Sequence, residues 1–251
     1  MDYALLIYAS EARFGQMSQE QQGKLFADYG QYTKDLMATG KAQPGAALEP
    51  SHTATSVRVR DGKTLMSDGP FAETKEQLGG FYILKSDNLD EVVSWASKIP
   101  DAVHGTIEIR PLPDMKGAPP YPPTAPKPAD AKKEYLLLIY EPESLWVNMS
   151  EAKKGEIFGK YFAFSGELRK AGLFVDGAAL TPTMASKTVK VREGKRLVSD
   201  GPFAETKEQL GGYYRIWAKD LDHAVALSKK IPAIETGTIE VRPVMDTSQF
   251  T

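Results

Sequence analysis

The sequence predicts an α+β protein: two tandem ferredoxin-like (split βαβ) domains joined by a proline-rich spacer. Three observations predict it. The fourteen residues SDGPFAETKEQLGG at Ser67–Gly80 stand again, unaltered, at Ser199–Gly212. The same ungapped offset (68 to 200, 132 residues) pairs YALLIY at Tyr3 with YLLLIY at Tyr135, and GAALEP at Gly45 with GAALTP at Gly177. It also pairs GTIEIRP at Gly105 with GTIEVRP at Gly237. A period this long marks repeated domains, because solenoid units run about 20–50 residues. Finally, each copy alternates strand-like and helix-like segments in the order β-α-β, an inserted hairpin, then β-α-β.

The elements follow in order. Tyr3–Tyr8 is an unbroken apolar run, as expected of a strand buried on both faces. Ser18 and Gln21 form a capping-box pattern, and Leu25, Phe26, Tyr29, Tyr32 and Leu36 recur at helical spacing up to the C-cap glycine Gly40. In the second copy Ile157, Phe158, Tyr161, Ser165 and Leu168 lead to Gly172. A short strand fits AQPGAAL. Val57 and Val59 alternate with Arg58 and Arg60, and Asp61-Gly62 signals a tight hairpin into KTLMS. GGFYILK is the next strand. Asn88 caps a second helix that buries Leu89, Val92, Ala96 and Ile99 and stops at Pro100. TIEIR closes the copy with Ile107 and Ile109 on one face. This order puts both helices on one side of an antiparallel sheet, and a second copy can cover the bare side. The expected domains are 1–111 and 134–245, with a linker at 112–133 and a tail at 246–251. The linker composition, rich in proline and alanine, favours an extended polyproline-type spacer.

Of the 251 residues 41% are hydrophobic and 25% charged, the balance of a soluble globular chain. A formal charge of −2 gives no reason to expect a nucleic-acid or membrane partner. The absence of cysteine excludes disulfides, thiolate nucleophiles and sulfur-ligated zinc, and suits a reducing cytoplasm. MDYALLIYASEARFG reads as neither a signal peptide nor a membrane span, so a cytoplasmic location is expected.

Within the repeated segment, Gly69-Pro70 fixes a bend after Asp68. Pro70 has no N–H, so Asp68 is left to cap Phe71 or Ala72, or to meet another partner. Thr74 and Gln77 fit a second capping box, which predicts a single helical turn over TKEQL. The loop gathers Asp68, Glu73, Lys75 and Glu76, acids beside an ammonium, as general acid–base chemistry requires. A structural turn with a solvated charged face explains the Asp, Gly, Pro and Thr equally well, but the repeated Glu, Lys, Glu and Gln less well. His52, His104 and His223 face Met184, Thr236 and Glu91 in the opposite copy, which excludes a repeated histidine site. No metal-ligand spacing, phosphate loop, nucleophile elbow or dinucleotide fingerprint is present, so no cofactor or metal is expected. Arg60, Arg192, Arg110 and Arg242 are expected on outward strand positions, with salt bridging as their role and anion binding as the alternative.

DGPFAETKEQLGG followed by FY or YY resembles the signature of the DGPF proteins, a branch of the YCII-related family, and the resemblance covers both copies nearly end to end. It implies a dimeric α+β barrel, two ferredoxin-like sheets packed face to face around a pocket, here within one chain. It also implies an unknown small organic ligand and, through the genomic neighbourhood of relatives, a sigma-factor link. The family's histidine falls at Tyr29 and Tyr161, and its aspartate role passes to Asp68 and Asp200. The expected site therefore has Asp68 and Asp200 as acid or base, bordering a cavity. Tyr29, Tyr161, Glu73, Glu205, Lys75 and Lys207 would contact the ligand. Two function classes stand at this stage: a cofactor-free enzyme, or a non-catalytic binding or regulatory module.

Overall fold

The computed structural model describes residues 1–72, 74–115 and 122–247. The first copy runs β1 (Asp2–Ala9), α1 (Glu11–Gly15), α2 (Gln19–Ala38), β2 (Ala42–Ala47), β3 (Thr55–Arg60), β4 (Lys63–Asp68), β5 (Gln77–Lys85), α3 (Leu89–Lys98) and β6 (Thr106–Pro111). The second repeats it as β7 (Lys133–Glu141), α4 (Ser144–Val147), α5 (Glu151–Lys170), β8 (Phe174–Ala179), β9 (Lys187–Arg192), β10 (Lys195–Asp200), β11 (Gln209–Ala218), α6 (Leu221–Ser228) and β12 (Thr238–Pro243).

Local chemistry sets the ends. The Ser18 hydroxyl accepts from the Gln21 amide while the Gln21 side chain accepts from the Ser18 amide, closing both halves of the capping box. Gly40 and Gly172 take φ of 66° and 70° just past their helices, the left-handed region that ends a helix without steric cost. The Asn88 side chain caps α3 by accepting from the Asp90 and Glu91 amides. Asp61 and Gly62 both have positive φ, the tight turn that matches strand twist in a two-residue hairpin.

Two antiparallel six-stranded sheets result, ordered β10-β9-β6-β1-β5-β2 and β4-β3-β12-β7-β11-β8. Four strands of each belong to one copy and the outer hairpin to the other. Ile107 of β6 faces Val189 of β9, and Ile239 of β12 faces Val57 of β3. The inserted hairpin forms where the sequence puts it, but in the sheet of the opposite copy.

Alternation along the central strands builds the layers. Leu5 and Ile7 of β1 pack with Leu36, Val92, Ala96 and Ile107 under the helices. Their counterparts Leu137 and Ile139 pack with Phe164, Leu168, Val225 and Ile239. Ala4 and Leu6 point the other way, meeting Phe81, Ile83, Leu136, Leu138 and Tyr213 between the sheets. The apolar run is continuous because both faces are covered. Each fully buried leucine contributes about 1.5–3 kcal/mol of transfer free energy. Helix, sheet, sheet, helix: the chain folds as an intramolecular dimeric α+β barrel. Its far ends are tied across, with the Glu49 amide donating to Pro243 O (3.0 Å), Met245 to Ala47 O (2.9 Å) and Thr181 to Pro111 O (3.1 Å).

Residues 122–128 of the spacer have no helix or strand, and 116–121 lie outside the described residues. The spacer crosses the end of α5, where the Ala125 amide donates to Arg169 O (2.8 Å), and Lys127 sits 4.0 Å above the Trp217 ring. Among the described residues no helix is long and apolar enough to cross a membrane.

Candidate functional site

The repeated segment is the crossover between sheets. Residues 69–76 carry the chain from β4 in one sheet to β5 in the other, and 201–208 make the reverse passage. Gly69 and Gly201 adopt φ of 95° and 96°, a conformation that a side chain strains. Each anchors its bend by donating its amide, Gly69 to Ala54 O (2.8 Å) and Gly201 to Ser186 O (3.0 Å).

At the bend, the Phe71 amide donates to Glu240 Oε2 (2.7 Å) and the Phe203 amide to Glu108 Oε2 (2.8 Å). The other oxygen of each glutamate is forked by an arginine two residues along the same strand: Arg110 Nε to Glu108 Oε1 (2.8 Å) and Arg242 Nε to Glu240 Oε1 (2.8 Å), each joined by its Nη2. Arg110 Nη1 continues to Leu210 O and Thr181 O, and Arg242 Nη1 to Leu78 O, all at 3.1 Å. All four side chains are at least 98% buried, so each charge is satisfied by partners rather than water.

This corrects the outward placement expected for Arg110 and Arg242. They point away from the helices, but a second sheet lies on that side, and salt bridging is what they do. Arg60 and Arg192 differ. Arg60 donates to Ile234 O, Glu235 O and Gly237 O, and Arg192 to Ala102 O and Gly105 O, pinning each hairpin to carbonyls of the opposite copy. Glu108 and Glu240 were missed as candidates. The available signal was Glu-x-Arg, identical in both copies and on the strand face opposite Ile107 and Ile109.

Aromatic stacking completes the arrangement. Phe203 lies on Tyr8 with ring centroids 4.3 Å apart, and Phe71 on Tyr140 at 4.4 Å. Around these pairs and the two glutamates lies a small cavity between the sheets. It leaves about 50 Å³ open to the centre of a water molecule, against roughly 10–15 Å³ for a single water. Its lining is symmetric under the 132-residue repeat, with Thr74, Gln77 and Leu78 mirrored by Thr206, Gln209 and Leu210. Burial holds the Tyr8 phenol protonated far above its usual range, and the Glu108 carboxylate adds to the shift. Burial, then Glu240, does the same to Tyr140. Both phenols are therefore donors, while every oxygen of the two glutamates already has one.

The residues expected at the site are placed elsewhere. Asp68 and Asp200 end the edge strands β4 and β10 and face solvent, Asp200 paired with the Lys187 ammonium. Lys75, Glu205 and Lys207 are exposed, and Glu73 lies outside the described residues. Tyr29 and Tyr161 pack in the helix–sheet layers, on the far side of their sheets from the cavity. None of the described ones lines it. The expected helical turn over TKEQL is also corrected. Thr74 donates to Glu76 O, and the Gln77 side chain donates to Ala72 O (3.0 Å) and Thr74 O (3.1 Å), closing a bend because Gln77 already opens β5.

Tyr29 has a setting of its own. Its hydroxyl donates to Asp101 Oδ2 (2.8 Å), and Arg13 lies 3.8 Å from the other carboxylate oxygen. Burial foremost, then the Asp101 charge, drives the Tyr29 phenol well above its ordinary range. The nearby His104 imidazole is pushed down, by burial first and the Arg13 charge second. The second copy has Ala233 in place of Asp101 and Thr236 in place of His104. There, burial and then the carboxylate of Glu141 raise Tyr161. Among the described residues no cluster of three or more histidine or acidic side chains is arranged to hold a metal ion.

Known proteins resemble this chain in part. An uncharacterised protein of Rhizobium meliloti (strain 1021) is 38% identical over 114 residues, 45% of this chain and 92% of its own length. Two structures of chlorite dismutase variants from Candidatus Nitrospira defluvii align over 99% of this chain and 92% of theirs, with TM-scores of 0.47 and 0.48 at 6% identity. The YCII-related domain matches twice, at residues 1–116 and 134–248. Covering both halves and leaving out little but the spacer, that match makes the chain a member of the YCII-related domain family.

Proposed function

We propose that the chain binds a small, acceptor-bearing organic molecule in the cavity between its sheets, with the Tyr8 and Tyr140 phenols as donors. One observation carries this reading: two stacked Tyr–Phe pairs frame a polar cavity whose glutamates are already saturated by arginine and amide donors. Two carboxylates against two guanidiniums balance the charge there. A ligand of few heavy atoms carrying a carbonyl or other neutral acceptor fits better than a highly charged one. Because no carboxylate in the lining has an unshared oxygen, the reading is one of binding rather than of catalysis by the repeated loop. The test is native mass spectrometry of the purified protein, followed by ligand-observed NMR with a panel of small carbonyl compounds. Joint Tyr8→Phe and Tyr140→Phe substitution should abolish the bound mass or the NMR response while leaving the melting temperature within a few degrees. Wild-type protein that neither carries nor binds any of them refutes the reading.

A second reading, cofactor-free acid–base catalysis, is favoured by the Tyr29–Asp101 pair beside His104, at the position where the resemblance places the family histidine. It confines chemistry to the first copy, and Asp101→Asn would remove it. We further assign the chain to the DGPF branch, as a tandem duplication of one domain; this rests on the repeated fourteen residues. A regulatory partnership with a sigma factor rests on the family resemblance alone.

A further inference from the structure

The cavity between the sheets calls for more than an acceptor, as its polar side chains show when taken one by one. Thr74 and Thr206 donate their hydroxyls to Glu76 O and Glu208 O. The side-chain nitrogen of Gln77 donates to Ala72 O (3.0 Å) and Thr74 O (3.1 Å), and that of Gln209 to Ala204 O and Thr206 O, both at 3.1 Å. Each carboxamide has thereby spent its two N–H hydrogens on its own loop. Its oxygen has not been used. Among the described residues no donor reaches Oε1 of Gln77 or Gln209, and no partner reaches the hydroxyl of Tyr8 or Tyr140, although all four side chains line the cavity.

These unused groups form two matched pairs. Gln77 opens β5 opposite Ala9, one step in register from Tyr8, and Gln209 opens β11 opposite Glu141, one step from Tyr140. Each half therefore offers one phenol O–H and one carboxamide oxygen to the same space. A ketone or an ester answers the phenols and leaves the carboxamide oxygens with no donor. An ammonium answers the oxygens, but it has no acceptor for the phenols and adds charge to a lining whose glutamates and arginines already balance. A primary amide answers both. Its carbonyl oxygen accepts, and its nitrogen carries two donor hydrogens on the same flat group, one for each glutamine.

Resting on the reading of this cavity as a binding site, we propose that its ligand is a small primary amide or urea, with Tyr8 and Tyr140 donating to the carbonyl oxygen and Gln77 and Gln209 accepting from the N–H groups as the residues that set specificity. Ligand-observed NMR titration of the full chain with propionamide and with butanone tests it. The two molecules have the same number of non-hydrogen atoms and the same carbonyl, but butanone has no N–H. Propionamide should bind about tenfold or more tightly than butanone, because a site built to accept from N–H discriminates against the analogue lacking it. Joint Gln77→Leu and Gln209→Leu substitution should bring propionamide down to the affinity of butanone and leave butanone unchanged, with thermal melts reporting the fold. Joint Tyr8→Phe and Tyr140→Phe substitution should weaken both compounds. Butanone binding as tightly as propionamide overturns this inference and leaves the carbonyl-binding reading standing. So does a preference for propionamide that survives in a folded glutamine variant. Binding of neither compound overturns the inference, and silence of the remaining carbonyl compounds as well overturns the reading beneath it. Should the glutamine variant fail to fold, the wild-type comparison decides alone.

Discussion

Glu108 sits two residues from Arg110 on β6, and the two are fully buried with a loop amide as third member. Removing one charge leaves the other dehydrated and unpaired, which costs far more than the pair itself contributes. Glu108→Ala should therefore destabilise the protein by about 3–5 kcal/mol in urea unfolding, and replacing Glu108 and Arg110 together by leucine and methionine should recover much of that loss. Glu141 makes the opposite case. Burial raises its carboxyl pKa, only partly offset by donors from Thr236 and Trp146. A raised folded-state pKa means the folded chain holds this proton more tightly than the unfolded one. Its favourable contribution is present below the ordinary glutamate range and is lost as pH climbs through the raised value. Glu141→Gln should accordingly be more stable than wild type at pH 7, with the gain vanishing near pH 4, as measured by unfolding at both values. Residue-level reading of the sequence found the Ser18–Gln21 box and the Asn88 cap, because a cap needs only its own helix, but it also put a box at Thr74 and Gln77, where no helix forms. It missed Glu108, because a strand side chain facing away from one layer reveals nothing about whether water or a second sheet lies beyond.

Among the elements, the exchanged hairpins are the most telling. Their turn is legible letter by letter: Asp-Gly in the first copy and Glu-Gly in the second, both residues at positive φ. Glutamate is a poor choice there, since its side chain offers the left-handed backbone none of the local hydrogen bonding that asparagine does. Glu193→Asn should stabilise the protein by about 0.5–1 kcal/mol, seen as a higher melting temperature, whereas Asp61→Asn should change little. Which strand the hairpin lies against was not legible. Val57 would fit beside an isoleucine of either copy, Ile107 or Ile239, because the two carry the same pattern. In the fold it lies at Ile239, where Arg60 also reaches the carbonyls of Ile234, Glu235 and Gly237.

At the scale of the molecule, neither half holds a complete sheet of its own. Cutting the spacer should leave them together, since two strands of each sheet would have to unpair before they part. Denaturation followed by tryptophan fluorescence and circular dichroism should show one transition with coincident midpoints, and two separable transitions would mean that the crossed hairpins are only loosely held. Fold class, layers and the face-to-face arrangement were all legible from periodicity and the ungapped offset. A pocket between the sheets was expected from the family resemblance, but its lining was not legible, because its walls come from six separated segments that converge only through the crossing.

The crossing also bears on why the fourteen residues stand twice without change. Each loop is seated on the glutamate of the opposite half, so an altered letter in one copy is judged by contacts that the other supplies. The two stretches are therefore not free to diverge like the surfaces around them. A change at Phe71 would call for an answer near Tyr140, and one at Phe203 for an answer near Tyr8, so that inheritance in one half is tied to inheritance in the other.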